Sequence, residues 1–203
     1  MSVKGKAMRK VVVQEFVTLN GLAAGPHGSV DFVPASTQGD QAFGRDQLAF
    51  IDAVDTILLG RVTYQMLASH WPHVTAGAEK LFADRLNATP KVVFSRTLDR
   101  APWGTWDEAR IVNGTPADEV ARLRRQPGKA IAIWGSITLV QSLIPEGLVD
   151  EYRLVVCPVV LGTGRPLFND GMTPISLTLV HARALDRGAV ALKYARDTAR
   201  TTN

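Results

Sequence analysis

One cysteine, Cys157, stands in a chain of 203 residues. An internal disulfide is therefore excluded, and so little thiol suits a reducing cytoplasm. Its setting, Leu154-Val155-Val156-Cys157-Pro158-Val159-Val160, reads as a buried small hydrophobe, since no base lies beside it to lower its pKa. No run approaches the ~18 apolar residues of a membrane helix. The basic opening Met1-Ser2-Val3-Lys4-Gly5-Lys6-Ala7-Met8 lacks the apolar stretch of a secretion signal. Residues 1–8 are thus expected to be a flexible leader, and 9–203 a single cytoplasmic domain. There is no Gly-x-Ser-x-Gly elbow and no phosphate-loop lysine, which leaves acyl transfer and nucleotide hydrolysis without support. Of the histidines, His70 and His73 flank Trp71, and neither His27 nor His181 is linked to them by ligand spacing, so no metal is expected. The net charge of +4 is scattered rather than striped between aromatics, against nucleic-acid binding but compatible with a phosphorylated ligand.

What is present alternates. Lys10 to Val17 is a strand, followed by a Gly-, Pro- and Ser-rich loop from Leu19 to about Asp40 and a helix over Gln41–Ala53 with Phe43, Leu48, Phe50 and Ile51 on its buried face. A further helix ends near Leu86, and Lys91 to Ser95 is the next short strand. After an irregular stretch holding Trp103 and Trp106, a helix opens with Thr115 as N-cap and Pro116 at its first position, Asp118 and Glu119 favouring its positive end, and Gly128 closing it. From Asp150 onward the pattern changes to strands over Glu151–Val156, Ser176–Leu185 and Ala189–Arg196, the last two joined by Asp186-Arg187-Gly188. This succession predicts an α/β fold with helices on both faces of a mainly parallel central sheet and an antiparallel C-terminal edge hairpin.

Two segments stand out. Asp55 to Tyr64 and Ala130 to Leu139 are each an apolar strand that stops at a glycine, Gly60 or Gly135, and turns directly into a helix. The first N–H groups of such a helix have no partner within it and carry partial positive charge, while glycine lets a phosphate approach. In an open sheet, ligands sit beyond the carboxyl ends of the strands, where both junctions lie.

Five motifs in order carry a resemblance: Leu58-Leu59-Gly60-Arg61-Val62-Thr63-Tyr64, Val93-Phe94-Ser95-Arg96-Thr97-Leu98, Ile133-Trp134-Gly135-Ser136, Gly147-Leu148-Val149-Asp150-Glu151-Tyr152, and Pro158 to Phe168 with its Gly162-Thr163-Gly164 loop. Together they resemble the dihydrofolate reductase-like superfamily, a three-layer αβα fold, and within it the reductase-domain branch of riboflavin biosynthesis. The resemblance implies an NADPH site: Gly60, Arg61 and Thr63 on the phosphates, Ser95, Arg96 and Thr97 on the adenosine 2′-phosphate, Gly135, Ser136, Ile137, Thr138 and Leu139 on the pyrophosphate, and Gly162 and Gly164 in a loop against the cofactor. Three of these have a structural alternative, with Arg61 a surface residue, Ser95 to Thr97 a strand cap and turn, and Gly162 to Gly164 a plain turn. Val13, Gln14, Asn20, Leu22, Ala23 and Trp71 would line the nicotinamide and substrate pocket. Asp46 and Asp31 are the candidate proton donors. Asn20 stands where many relatives carry Asp, and an amide cannot cycle a proton; Trp134 replaces a frequent glycine. The expected function is NADPH-dependent reduction of a small heteroaromatic or carbonyl substrate, pterin-, folate- or ribosylaminopyrimidine-like. The alternative is a non-catalytic nucleotide-binding or sensor protein on the same fold. The branch also implies a homodimer, for which the terminal strands offer Leu177, Leu179, Val190 and Leu192.

Overall fold

Strands of Val, Ile and Leu without polar alternation must be covered on both faces, and the computed structural model, which describes residues 8–197, shows how. The expected leader lies outside the described residues but for Met8. In chain order the elements are β1 (Val11–Thr18), β2 (Leu22–Ala24), α1 (Phe32–Thr37), α2 (Gln41–Asp52), β3 (Val54–Gly60), α3 (Arg61–Ala68), α4 (Lys80–Ala88), β4 (Lys91–Phe94), β5 (Arg110–Val112), α5 (Pro116–Arg124), β6 (Ala130–Trp134), α6 (Ile137–Leu143), β7 (Glu151–Cys157), β8 (Arg165–Pro166), β9 (Leu177–Ala184) and β10 (Val190–Arg196). The main sheet runs β5-β4-β3-β6-β1-β7-β10-β9. Its first six strands are parallel, and β10 and β9 close it antiparallel.

Alternate residues of each strand feed different cores. Val11 and Val13 of β1 pack with Ile131 and Ile133 of β6 beneath α5 and α6, where Val120, Leu123, Val140 and Leu143 are buried. Val12, on the opposite face, joins Ile57, Leu59 and Ala132 under α2, α3 and α4, represented by Phe50, Ile51, Tyr64 and Leu86. Cys157 sits fully buried with Phe43, Leu185 and Ala189, and burial pushes its thiol pKa up, as a packing role requires.

Local chemistry adds to the expectation in some places and departs from it in others. The loop between Leu19 and Asp40 contains β2, a short 3-10 turn over Pro26–Gly28 and α1. Helix α2 begins where Asp40 accepts from Phe43 N (2.6 Å), and the same carboxylate accepts from Asp186 N (2.9 Å), tying the β9–β10 turn to this helix. These backbone hydrogen bonds, Phe43 first, lower its pKa. Thr115 precedes α5 without a side-chain cap, and Glu119 serves a different purpose from the dipole. It accepts from Arg122 and Arg110, and those hydrogen bonds, Arg122 first, hold its pKa at about 2. In doing so it secures β5, which hydropathy left irregular because its three residues are half exposed.

Gly128 is not a helix cap, since α5 already ends at Arg124. It makes room instead. A Cβ there would stand 2.5 Å from Asp55 Oδ2, an oxygen held by Lys129 N (2.7 Å), while the other oxygen pairs with the buried Arg9 guanidinium. Arg9 also donates to Lys129 O (2.7 Å) and Thr56 Oγ1 (2.9 Å), joining the starts of β1, β3 and β6. Gly128→Ala is therefore expected to lower stability by about 1–3 kcal/mol, measured by thermal or urea unfolding, because the crowded atom cannot rotate away without uncovering Arg9.

Candidate active site

The neighbouring strands β3 and β6 run in register, Leu58 beside Ile133, and so end at the same level. Their chains leave to opposite faces, α3 toward one core and α6 toward the other. This parting opens a crevice at the carboxyl edge, and the two glycine turns meet there. Gly60 N donates to Ser136 Oγ (2.9 Å), Ser136 N to Thr63 Oγ1 (3.0 Å), and Ser136 Oγ to Trp134 O (3.0 Å). Gly135 N donates to Gln14 O (3.1 Å). The backbone is left-handed at Gly135 (φ 55°) and Ser136 (φ 63°), and a non-glycine residue held so carries strain of order 1 kcal/mol or more. The reciprocal clasp overcomes that strain.

This geometry corrects part of the expectation. The N–H groups of Gly60, Gly135 and Ser136 are engaged within the protein and are not free donors. The unpaired helix-start amides are one residue further on, at Ile137, Thr138 and Leu139 in α6 and at Arg61, Val62 and Thr63 in α3. Gly60 has ordinary contacts only, 3.8 Å from Ser136 Cβ to a notional Cβ, so no protein atom demands glycine there. Arg61 is exposed and donates to Gln65 Oε1 (3.1 Å). Ser95 is buried and its Oγ accepts from Thr97 N (3.2 Å) and Leu98 N (3.1 Å); its hydroxyl therefore closes the turn, whereas Arg96 and Thr97 stay exposed at the end of β4.

A small second sheet borders the crevice. In it β2 pairs with β8, Leu22 opposite Pro166 and Ala24 opposite Arg165. A Cβ on Gly164 would stand 2.2 Å from Ala24 O, so that glycine serves close strand approach, while a Cβ on Gly162 would meet nothing within 4 Å. The ribbon is latched to α6: Arg165 donates to Thr138 Oγ1 (2.8 Å) and Gln141 Nε2 to Pro166 O (2.9 Å). Asn20 is a tether rather than a pocket wall. Its Oδ1 accepts from Thr18 Oγ1 (2.8 Å) and its Nδ2 donates to Leu161 O (2.8 Å), a double role that requires an amide and explains why no carboxylate stands here. Val13 and Ala23 are buried in the core beneath α6.

On the other face, Trp71 begins a chain of rings. It meets Phe82 (5.1 Å), Phe82 meets Trp134 (5.7 Å), Trp134 meets Phe50 (5.7 Å), and the Arg153 guanidinium lies 4.4 Å over Phe50. Arg153 donates to Gln14 Oε1 (3.2 Å) and pairs with Asp46. Asp46 thus stands at the cavity beside Gln14, already matched to a cation. Asp31 does not join it. It is exposed beside α1 and accepts from Ser29 Oγ (2.7 Å).

The carboxyl that sequence reasoning passed over is Glu15. Even-numbered residues of β1 bond to β6, which ends at Gly135, so Phe16 N is left without a strand partner. Glu15 Oε1 accepts it (3.1 Å); Oε2 is buried without any partner. Burial pushes its pKa up to about 8, against a smaller lowering by the Phe16 N–H. The signal was a lone carboxylate among Val11, Val13 and Val17 on the inward face of an apolar strand. Between its ordinary value of 4.5 and about 8 the unfolded chain has released this proton and the folded chain has not, so stability falls as pH rises through that window. Glu15→Gln is expected to flatten this slope and to gain on the order of 2–4 kcal/mol over the parent at about pH 9, with little difference near pH 4, read by unfolding across pH.

Comparison with known proteins places the chain. The family model of the RibD C-terminal domain matches residues 9–191. YyaP of Bacillus subtilis (strain 168), an uncharacterized protein, is 34% identical over 187 residues, covering 92% of this chain and 94% of its own. YwjB of the same organism, also uncharacterized, is 31% identical over 190 residues, 93% of this chain and 98% of its own. Among solved structures, a candidate riboflavin biosynthesis protein of Shewanella sp. PV-4 superposes with TM-score 0.73 at 24% identity, over 93% of this chain and 99% of that one. The deaminase/reductase of Thermotoga maritima, which acts on phosphoribosylaminopyrimidines, superposes with TM-score 0.64 at 12% identity, over 94% of this chain and 57% of that one. The mainly parallel sheet with its antiparallel edge is the reductase fold of these proteins. By family match and by architecture, the chain belongs to the RibD C-terminal domain family of the dihydrofolate reductase-like superfamily.

Proposed function

We propose that this protein is an NADPH-dependent reductase of a small, planar heteroaromatic or carbonyl substrate of the pterin, folate or ribosylaminopyrimidine kind. One observation carries the reading: two glycine turns distant in sequence are clasped to each other by Ser136 and Thr63 at one crevice. The donors around that crevice fit a dinucleotide. The first-turn amides of α3 and α6, Thr138 and the exposed Arg61 and Arg165 are anion partners, and at Gly60 and Gly162 a side chain would meet no protein obstacle, so bareness there serves something outside the fold. Arg61 and Thr63 would hold phosphates, Arg96 and Thr97 the 2′-phosphate, and Ile137, Thr138 and Leu139 the pyrophosphate. The name of the Thermotoga relative, a reductase, supports the same chemistry.

A nicotinamide coenzyme supplies a hydride when bound. The chain supplies the rest. The ring series from Trp71 to Phe50 would give one side of the crevice an apolar wall, and Arg153 fixes Gln14 and Asp46 beside the cavity. Of the two candidate acids, Asp46 is the one that stands at the cavity, while Asp31 is exposed beside Ser29. A second copy of the chain is the expected macromolecular partner, because the edge strand β9 leaves Leu179 and Val180 about half exposed (51% and 54%). No helix among the described residues is long and apolar enough to cross a membrane.

Loss of the NADPH absorbance band with a panel of dihydropterins, dihydrofolate and ribosylaminopyrimidines tests the proposal. Coenzyme binding without consumption would favour the sensor alternative, and absence of binding would refute both. Arg61→Ala is expected to weaken NADPH and NADH binding alike, by roughly tenfold. Arg96→Ala should weaken NADPH more than NADH in calorimetric titration; equal losses would remove the 2′-phosphate assignment.

A further inference from the structure

The carboxyl of Glu15 stands where β6 ends. Strand β6 runs beside β1 as far as Trp134, opposite Gln14; at Gly135, whose N–H meets Gln14 O (3.1 Å), the chain turns off into α6. Glu15 is the next residue of β1. It alternates with Val13 and Val17 on the face that α6 covers, level with Leu154 of β7. Because Phe16 N points to the side that β6 has vacated, accepting from it (3.1 Å) holds Glu15 Oε1 in that gap, next to the turn of Gly135 and Ser136. The residue is 6% exposed, and Oε2 has no partner.

Capping Phe16 N does not require an acid. Glutamine would accept the same N–H, and leucine would suit the strand as its valine neighbours do, without burying a carboxyl. What a carboxyl has and an amide lacks is a proton that can leave. No cation of the fold answers it. Strands β2 and β6 and helix α6 carry no titratable residue; on β7, Tyr152 shares this face, whereas Glu151 and Arg153 lie on the other with Lys193 and Gln14, and Arg165 of β8 is turned to Thr138 (2.8 Å). Burial, opposed only by the Phe16 N–H, is what raises the Glu15 pKa to about 8. A negative ligand at the adjoining crevice would be the first strong charge near this group, and across a layer that excludes water like charges repel far more than in solvent.

We propose that Glu15 makes coenzyme binding proton-linked: the crevice accepts a polyanionic dinucleotide with this carboxyl neutral and disfavours it with the carboxyl ionised, so that binding draws in a proton. The inference rests on the reductase reading for the identity of the anion. NADPH is the probe, titrated by fluorescence against the full chain from about pH 7.5 to about pH 9.5, above the range in which its own 2′-phosphate titrates. Affinity should be level to about pH 8 and then fall, roughly tenfold by about pH 9.5. Calorimetry at about pH 9, in buffers of different ionisation enthalpy, should count on the order of half a proton or more taken up per coenzyme bound. Glu15→Gln and Glu15→Leu, with circular dichroism confirming the fold at each pH, should bind as the parent does at the lower pH, keep that affinity to the upper, and take up no proton; a carboxyl that served packing alone would leave the parent's slope in both. The proposal is overturned if the parent's affinity is level across the range, if no proton is taken up, if either variant keeps the slope, or if either binds NADPH more weakly than the parent at the lower pH. Level affinity with binding intact sinks this inference alone; no NADPH binding at any pH sinks the reductase reading beneath it as well.

Discussion

The crevice depends on one reciprocal interaction. Ser136 Oγ accepts from Gly60 N, and Ser136 N donates to Thr63 Oγ1, so the α3 and α6 turns are held together by two hydrogen bonds that cross between them. Neither turn could keep this shape alone. Ser136 is in a conformation that L residues avoid, and a Cβ on Gly135 would press to 3.1 Å on the Thr63 methyl. The clasp also decides which amides remain for a ligand: by engaging those of Gly60 and Ser136 it leaves the first turns of the two helices.

Support for the ring wall comes from further inside. Asn87, on α4, accepts from Trp103 Nε1 (2.7 Å) and donates to Trp71 O (3.0 Å), so a buried amide sets where the Trp71 turn lies. Lys91 donates to Asn87 O (2.6 Å) and Thr89 O (2.8 Å) and lies 4.4 Å over the Trp103 ring, with burial pulling its pKa down to about 7. Such a network is satisfied group by group and fixes the local packing. Gln47 and Glu15 stand out against it because their polar atoms are not satisfied in the same way.

Much of the architecture was legible because it is written in short-range patterns. Apolar runs ending at glycine gave β3 and β6 with their helices, and the late alternation around Asp186-Arg187-Gly188 gave the edge hairpin. What escaped is what contributes little hydrophobic signal. The half-exposed β5 depends on Glu119 and its arginines, and β2 is three residues long, stabilised by β8 from far along the chain. Gly128 read as a cap because a glycine after a helix usually is one; here its bareness answers to Asp55 and Arg9.

The candidate site divides along the same line. Residue order determined that two strand–glycine–helix turns exist, that Arg61 follows the first of them and Arg96 the end of a short strand, and that Asp46 rides on the helix after the first loop, because backbone conformation and periodicity are local properties. Only the tertiary structure decided that β3 and β6 are neighbours, that Asn20 and Ser95 are engaged in holding loops, that Asp46 faces Arg153, and that Glu15 is buried at the edge β6 leaves bare. Those outcomes depend on which strand lies beside which, and strand order is set by the joint burial of distant apolar surfaces, a sum over the whole chain that no single segment contains.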